Sequence, residues 1–235
     1  MDGIVPRLRA APANKQSRRP FAPLGVARLV CRTAIFAVVF AAAGHAENKG
    51  TVAKQDVQAK LAYCEVCHGV SAQGFHGYYP IPRLAGQQTE YLENQLQAFV
   101  EHRRTNNIMF NVGHVLSPAM IAALAADFHD LNPKPLGGAP AELVGAGKKI
   151  FEQGISSTDV PACSSCHGPE AKGDGAFPRL AGQLFDYVVS KLQNWDKERG
   201  QNPAQPDASA LMQPIAHNLT AAQIKAVAAY LSQLE

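Results

Sequence analysis

The chain of 235 residues holds one tryptophan, four methionines and five cysteines, and it has no apolar run long enough to cross a bilayer. Its best stretch, Ala34 to Ala43, falls short of the roughly 20 residues a helical span needs, and Arg28 and Arg32 block its extension upstream. A basic stripe interleaved with aromatics is also missing, which argues against nucleic acid as a partner. The formal charge of +3 belongs to the first 46 residues, which carry seven of the 22 Lys and Arg and one of the 19 acids, so the remaining 189 residues sum to −3. No strand-like alternation of useful length occurs, and the expected fold class is all α.

Residues 1–46 read as a cleaved signal peptide: a basic start, the apolar run, then Gly44-His45-Ala46 with small residues suited to cleavage after Ala46. The leader is long, and no Met lies between Met1 and Met109, which leaves a start at a non-Met codon near Val26 as a hypothesis. The Arg18-Arg19 pair sits far from the apolar run, favouring the general secretory route over a twin-Arg signal. Cys31 falls in this leader. No other cysteine is left over for a disulfide framework or a catalytic thiol, because four are claimed by motifs.

Those motifs are Cys64-Glu65-Val66-Cys67-His68 and Cys163-Ser164-Ser165-Cys166-His167. Cys-x-x-Cys-His is the attachment signature of c-type haem: Cys64 with Cys67, and Cys163 with Cys166, can bond the two vinyl groups of one porphyrin each, and His68 and His167 give the irons their proximal imidazole. Zinc and dithiol redox sites also use Cys-x-x-Cys. The companions distinguish the readings. Pro82-Arg83-Leu84-Ala85-Gly86-Gln87 follows the first motif, Pro178-Arg179-Leu180-Ala181-Gly182-Gln183 follows the second, and Tyr91 and Tyr187 stand in register after them. Two covalent haem c groups are therefore expected.

The halves align at offsets of 99 residues at the haem motifs, 96 at the Pro-Arg-Leu-Ala-Gly-Gln blocks and 103 at the last helices, so only loop lengths differ. Residues 134–139, in the Pro- and Gly-rich stretch Asn132 to Pro140, read as a linker between domains at 47–133 and 140–235. Three amphipathic helices are expected in each domain. The first carries Val57 and Leu61, or Leu143 and Ile150. The central one carries Tyr91, Leu92, Leu96 and Phe99, or Tyr187, Val188, Leu192 and Trp195. In the last, Ile121, Leu124 and Phe128 match Ile224, Val227 and Leu231, with Ser117 and Pro118 at one start and a Thr220–Gln223 capping box at the other. Each domain has fewer than 100 residues, small for a self-sufficient core, so buried porphyrin is expected to supply apolar mass.

The second axial position decides the chemistry. Met109 and Met212 each lie seven residues before the equivalent Leu116 and Leu219, in segments that read as irregular, and this repeat makes them the expected sulfur ligands. Met120, on the last helix of the first domain, reads as core filler. His102 and His114 flank Met109 and His217 lies near Met212, so imidazole ligands stay open. Pro82 and Pro178 are candidate acceptors for the proximal histidines' other ring nitrogen, with a rigid turn as the alternative role. Arg83 and Arg179 are candidate partners of the haem propionates.

From about residue 54 onward the chain resembles a dihaem cytochrome c of the cytochrome c4 family, with two class I cytochrome c domains in tandem. Both haem motifs, both Pro-Arg-Leu-Ala-Gly-Gln blocks and both Met-x6-Leu-Ser/Thr signatures match in order. Asn106-Asn107-Ile108-Met109-Phe110 departs from the usual Gly- and Met-rich loop. The resemblance implies a periplasmic electron carrier, soluble or membrane-associated, serving a quinol-oxidising complex and a terminal oxidase or reductase. Two alternatives remain: a cytochrome subunit of a dehydrogenase complex, or a dihaem enzyme (a peroxidase or a thiosulfate-oxidising cytochrome) with an open or unusual ligand at one iron.

Overall fold

The computed structural model describes residues 52–200, 204 and 207–235. The expected leader, with the expected cleavage after Ala46, Cys31 and His45, lies outside them. Among the described residues there are α-helices, single-turn 3₁₀ segments and isolated bridges, but no strand, so the all-α expectation holds.

In the first domain α1 (Lys54–His68) runs through the first haem motif, α2 (Thr89–Val100) and α3 (Asn107–Gly113) follow, and α4 (Pro118–Asp130) closes the domain. In the second, α5 (Val144–Gln153) is separated from the one-turn α6 (Ser164–His167), which holds the second motif. Then come α7 (Phe185–Gln193), α8 (Trp195–Glu198), α9 (Gln213–Asn218) and α10 (Ala221–Leu231). Ser117 accepts from the Met120 N–H at the start of α4, and Thr220 and Gln223 form a full capping box on α10.

Each domain has its own core, and the two match position for position. Ala72, Ala85, Leu92, Leu124, Ala125 and Phe128 cluster in one; Ala171, Ala181, Val188, Val227, Ala228 and Leu231 cluster in the other. The offsets seen in the sequence are thus offsets of packing.

Two expectations are corrected. Trp195 does not continue the central helix: Asn194 leaves helical geometry, its side-chain amide donates to the Ser190 carbonyl, and a new turn starts at Trp195. The buried face of α5 is also shifted. Leu143 lies in the preceding 3₁₀ turn and Ile150 is half-buried, whereas Phe151 and Gly147 face inward. Glycine there lets the backbone of α10 come close, which a period count over apolar residues misses.

After each motif a glycine reverses the chain. Gly69 (φ +79°) and Gly168 (φ +78°) adopt conformations that favour glycine, and a Cβ on Gly69 would stand 2.3 Å from the Gly74 carbonyl oxygen. The returning loop is pinned by Gly74 N–H to the His68 carbonyl (2.7 Å) and Gly173 N–H to the His167 carbonyl (2.9 Å). Ala72 and Ala171 then accept from the backbone of Leu84 and Ala85, and of Leu180 and Ala181. These bonds bring both Pro-Arg-Leu-Ala-Gly-Gln segments beneath the histidines.

Candidate haem sites

His68 and His167 are buried, at 7% and 4% exposure. Burial holds both rings below the ordinary histidine pKa, partly offset by their carbonyl hydrogen bonds, so each is neutral and fit to ligate through one nitrogen. Each Nδ1 pairs with a backbone carbonyl: His68 with Pro82 at 2.8 Å, His167 with Pro178 at 2.9 Å. A carbonyl only accepts, so the proton sits on Nδ1 and the Nε2 lone pair is left for a metal. The acceptors in both bonds are the prolines of the repeated Pro-Arg-Leu-Ala-Gly-Gln blocks.

The four motif cysteines form no disulfide, with Cys67 and Cys166 exposed. Burial pushes the Cys64 thiol up and that of Cys163 to about 11, which keeps both protonated at neutral pH. Among the described residues no three His, Cys, Asp or Glu side chains converge as a protein-ligated zinc site requires.

Arg83 and Arg179 are buried, at 3% and 7% exposure, and among the described residues neither pairs with a carboxylate. Their Nε atoms donate to the Ala85 and Ala181 carbonyls, and Arg83 Nη2 also reaches Asn132 Oδ1. Among the described residues Arg83 Nη1 and Arg179 Nη2 have no partner. Burial, with Arg179 close by, lowers the Arg83 guanidinium pKa to about 10. Two buried cations with free donors and no anion among the described residues suit an acidic ligand group. The propionates of haem fit this demand, as the cysteine pairs and fixed imidazoles fit its vinyl groups and iron.

Met109 and Met212 are not in irregular chain. Met109 lies within α3, whose start is capped by the Asn106 side chain accepting from the Met109 N–H, and Met212 ends a 3₁₀ turn that leads into α9. Asn106 serves here as a helix cap and Pro214 as a first-turn residue. The rival histidines have other engagements. The rings of His102 and His114 both stack on Phe110, at 4.7 and 5.3 Å between centroids, and His217 pairs with Asp196.

The repeated Gln87, Gln183, Tyr91 and Tyr187 prove to be contacts between the domains, a role the sequence reading missed. Gln183 Oε1 accepts from the Arg83 N–H and its Nε2 donates to the Arg83 carbonyl; Gln87 makes the same two bonds to Arg179. Tyr187 OH accepts from Arg104, Tyr91 OH accepts from Arg199, and Gln95 Oε1 receives both arginines. The repeat in register was the signal, since residues paired across a pseudo-twofold axis must recur in both copies.

Two helical domains, each presenting an attachment motif and a carbonyl-fixed buried histidine, define a dihaem c-type cytochrome. A family model described as Cytochrome c matches residues 55–131 and 144–235. Cytochrome c-552 of Acidithiobacillus ferridurans is 42% identical over 178 residues, which cover 73% of each chain. A thiosulfate dehydrogenase electron acceptor of Thiomonas intermedia is 36% identical, over 74% of this chain and 79% of its own. The solved cytochrome c4 of Acidithiobacillus ferrooxidans superposes with a TM-score of 0.62 at 40% identity, covering 74% of this chain and 99% of that one. The chain belongs to the cytochrome c family and, within it, to the dihaem cytochromes c4. It carries two covalent haem c groups and is an electron carrier rather than an enzyme.

Proposed function

We propose that the mature chain works in the periplasm, with domains at 47–133 and 140–235 joined by residues 134–139, and that it passes single electrons between a quinol-oxidising complex and a terminal oxidase or reductase. Bound haem supplies an iron that takes up and releases one electron. The protein's part is to keep both irons closed. His68 and His167, their tautomers set by Pro82 and Pro178, would ligate the irons through Nε2, and Met109 and Met212 would ligate them through sulfur. Cys64, Cys67, Cys163 and Cys166 hold the porphyrins, and Arg83 and Arg179 neutralise propionates. Sulfur and imidazole ligands in an apolar pocket favour the reduced iron and a high potential.

The observation that carries this reading is the duplicated site: both histidines are buried, neutral and fixed by the same carbonyl bond, so neither haem site is set up differently on its proximal side. Haem per chain and the near-infrared charge-transfer band of Met-ligated ferric haem test it. Two haems with two Met-ligated irons support a closed carrier. One Met-ligated iron refutes the closed reading and makes the other haem a candidate reaction site.

A second reading is favoured by the Thiomonas relative: electrons arrive from a thiosulfate-oxidising dehydrogenase. Reduction of the purified ferric protein by such an enzyme with thiosulfate, faster than by a quinol-oxidising complex, would favour it.

A further inference from the structure

The hydrogen bonds of Gln183 and Gln87 do more than join two domains. The Arg83 N–H and the Pro82 carbonyl belong to one peptide group. Gln183 Oε1 accepts from that N–H at 2.9 Å, and the carbonyl of the same amide accepts from His68 Nδ1 at 2.8 Å. The second site repeats the chain of bonds: Gln87 Oε1 accepts from Arg179 N–H at 2.7 Å, and the Pro178 carbonyl accepts from His167 Nδ1 at 2.9 Å. Each glutamine comes from the opposite domain.

We infer that Gln183 is the positioning residue for the proximal ligand of the first haem, and Gln87 for that of the second. This rests on the proposed ligation of the irons by His68 and His167. The physical basis is polarisation along a hydrogen-bonded chain. An acceptor on the N–H side of an amide increases the negative charge on its carbonyl oxygen. The oxygen then draws more strongly on the Nδ1 proton, and the imidazole becomes a more electron-rich ligand. A more basic ligand stabilises the oxidised iron and lowers its potential.

The geometry restricts other partners for these amides. Both glutamines are buried, at 5% and 7% exposure, and so are Arg83 and Arg179. The returning bond from each Nε2 to the Arg83 or Arg179 carbonyl fixes the amide orientation, so the oxygen faces the N–H. Each Oε1 also accepts from the next backbone N–H in its own chain segment, Leu184 or Gln88. An effect on the glutamine's own domain is therefore the structural alternative.

The test uses the intact dihaem protein with Gln183→Met and Gln87→Met, which keep the side chain's length and remove the acceptor. Gln183→Glu and Gln87→Glu, which keep the accepting oxygen, serve as controls for packing. Potentials of the individual haems are followed through their hyperfine-shifted proton signals during redox titration, and the Nδ1 protons of His68 and His167 are followed in the reduced protein. Ring signals of both histidines in the hyperfine-shifted set of the parent protein establish ligation independently. The expected result is crossed: Gln183→Met moves the His68 Nδ1 proton upfield and raises the potential of the first haem, while Gln87→Met does the same to His167 and the second haem. The Glu variants, whose oxygen still accepts from the Arg83 or Arg179 N–H, do not move the Nδ1 protons upfield. A shift at the glutamine's own haem, equal shifts at both, or no shift overturns the inference.

Discussion

Gly147 on α5 lies so close to the backbone of Ala226 on α10 that a Cβ would stand 1.9 Å from the Ala226 carbonyl oxygen. No alanine fits without separating the helices, because the obstacle is backbone and not the end of a flexible side chain. Gly147→Ala should destabilise the second domain by about 3 kcal/mol or more, despite the better helix propensity of alanine. Thermal unfolding followed at haem signals of each domain would show the native signals of the second haem lost first. Gly145, which has open space around it, is the control: Gly145→Ala should be neutral or stabilising.

Arg83 makes a separate prediction, because it is a buried cation that has, among the described residues, a free Nη1 and no carboxylate partner. If it answers a propionate, Arg83→Met removes a positive charge near the haem and lowers that haem's potential, since a nearby cation favours the reduced iron. Arg83→Lys keeps the charge but loses the fork that holds Ala85 and Asn132, so it should fall between. Potentiometric titration of both variants checks the order; a potential that rises in Arg83→Met would remove the propionate assignment.

Met109 and Met212 separate from the nearby histidines in the near-infrared. Met109→Ala should abolish the charge-transfer band of one haem and leave the other, halving its intensity per chain, and Met212→Ala should do the same to the second. His102→Ala and His114→Ala should leave the band intact, because those rings are occupied in stacking on Phe110 at the surface. An unchanged band in Met109→Ala would assign the first iron another ligand.

Much of this architecture is legible in the sequence, because it is written twice. The motif cysteines and histidines, the Ser117 and Thr220 caps and the matched apolar positions of α4 and α10 all follow from local rules. Helix breaks and close approaches were not readable. Asn194 ends α7 through one side-chain bond, and Gly147 marks a helix crossing by having no side chain at all. The interface was visible only as an unexplained repetition of Gln87 with Gln183 and Tyr91 with Tyr187. Which domain a repeated residue serves depends on packing between the copies, and no sequence period encodes that.

Asp207 gives the interface a pH dependence. Its carboxylate pairs with Arg103 of the first domain and caps the 3₁₀ turn Ala208–Met212 by accepting from the Ser209 N–H. Burial raises its pKa, but the Ser209 hydrogen bonds and the Arg103 charge outweigh this and hold it below the ordinary aspartate value. The folded protein therefore binds this proton less readily than the unfolded chain. The resulting stabilisation is complete above the unfolded value of about 3.9 and is lost as pH falls through the lower folded value. At 26% exposure the pair is partly screened, and about 1 kcal/mol is a fair scale for it. Denaturant titrations of the parent and of Asp207→Asn should differ at pH 6 and converge near pH 2. A gap of constant size across that range would mean that the carboxylate's charge contributes nothing and that only its shape matters.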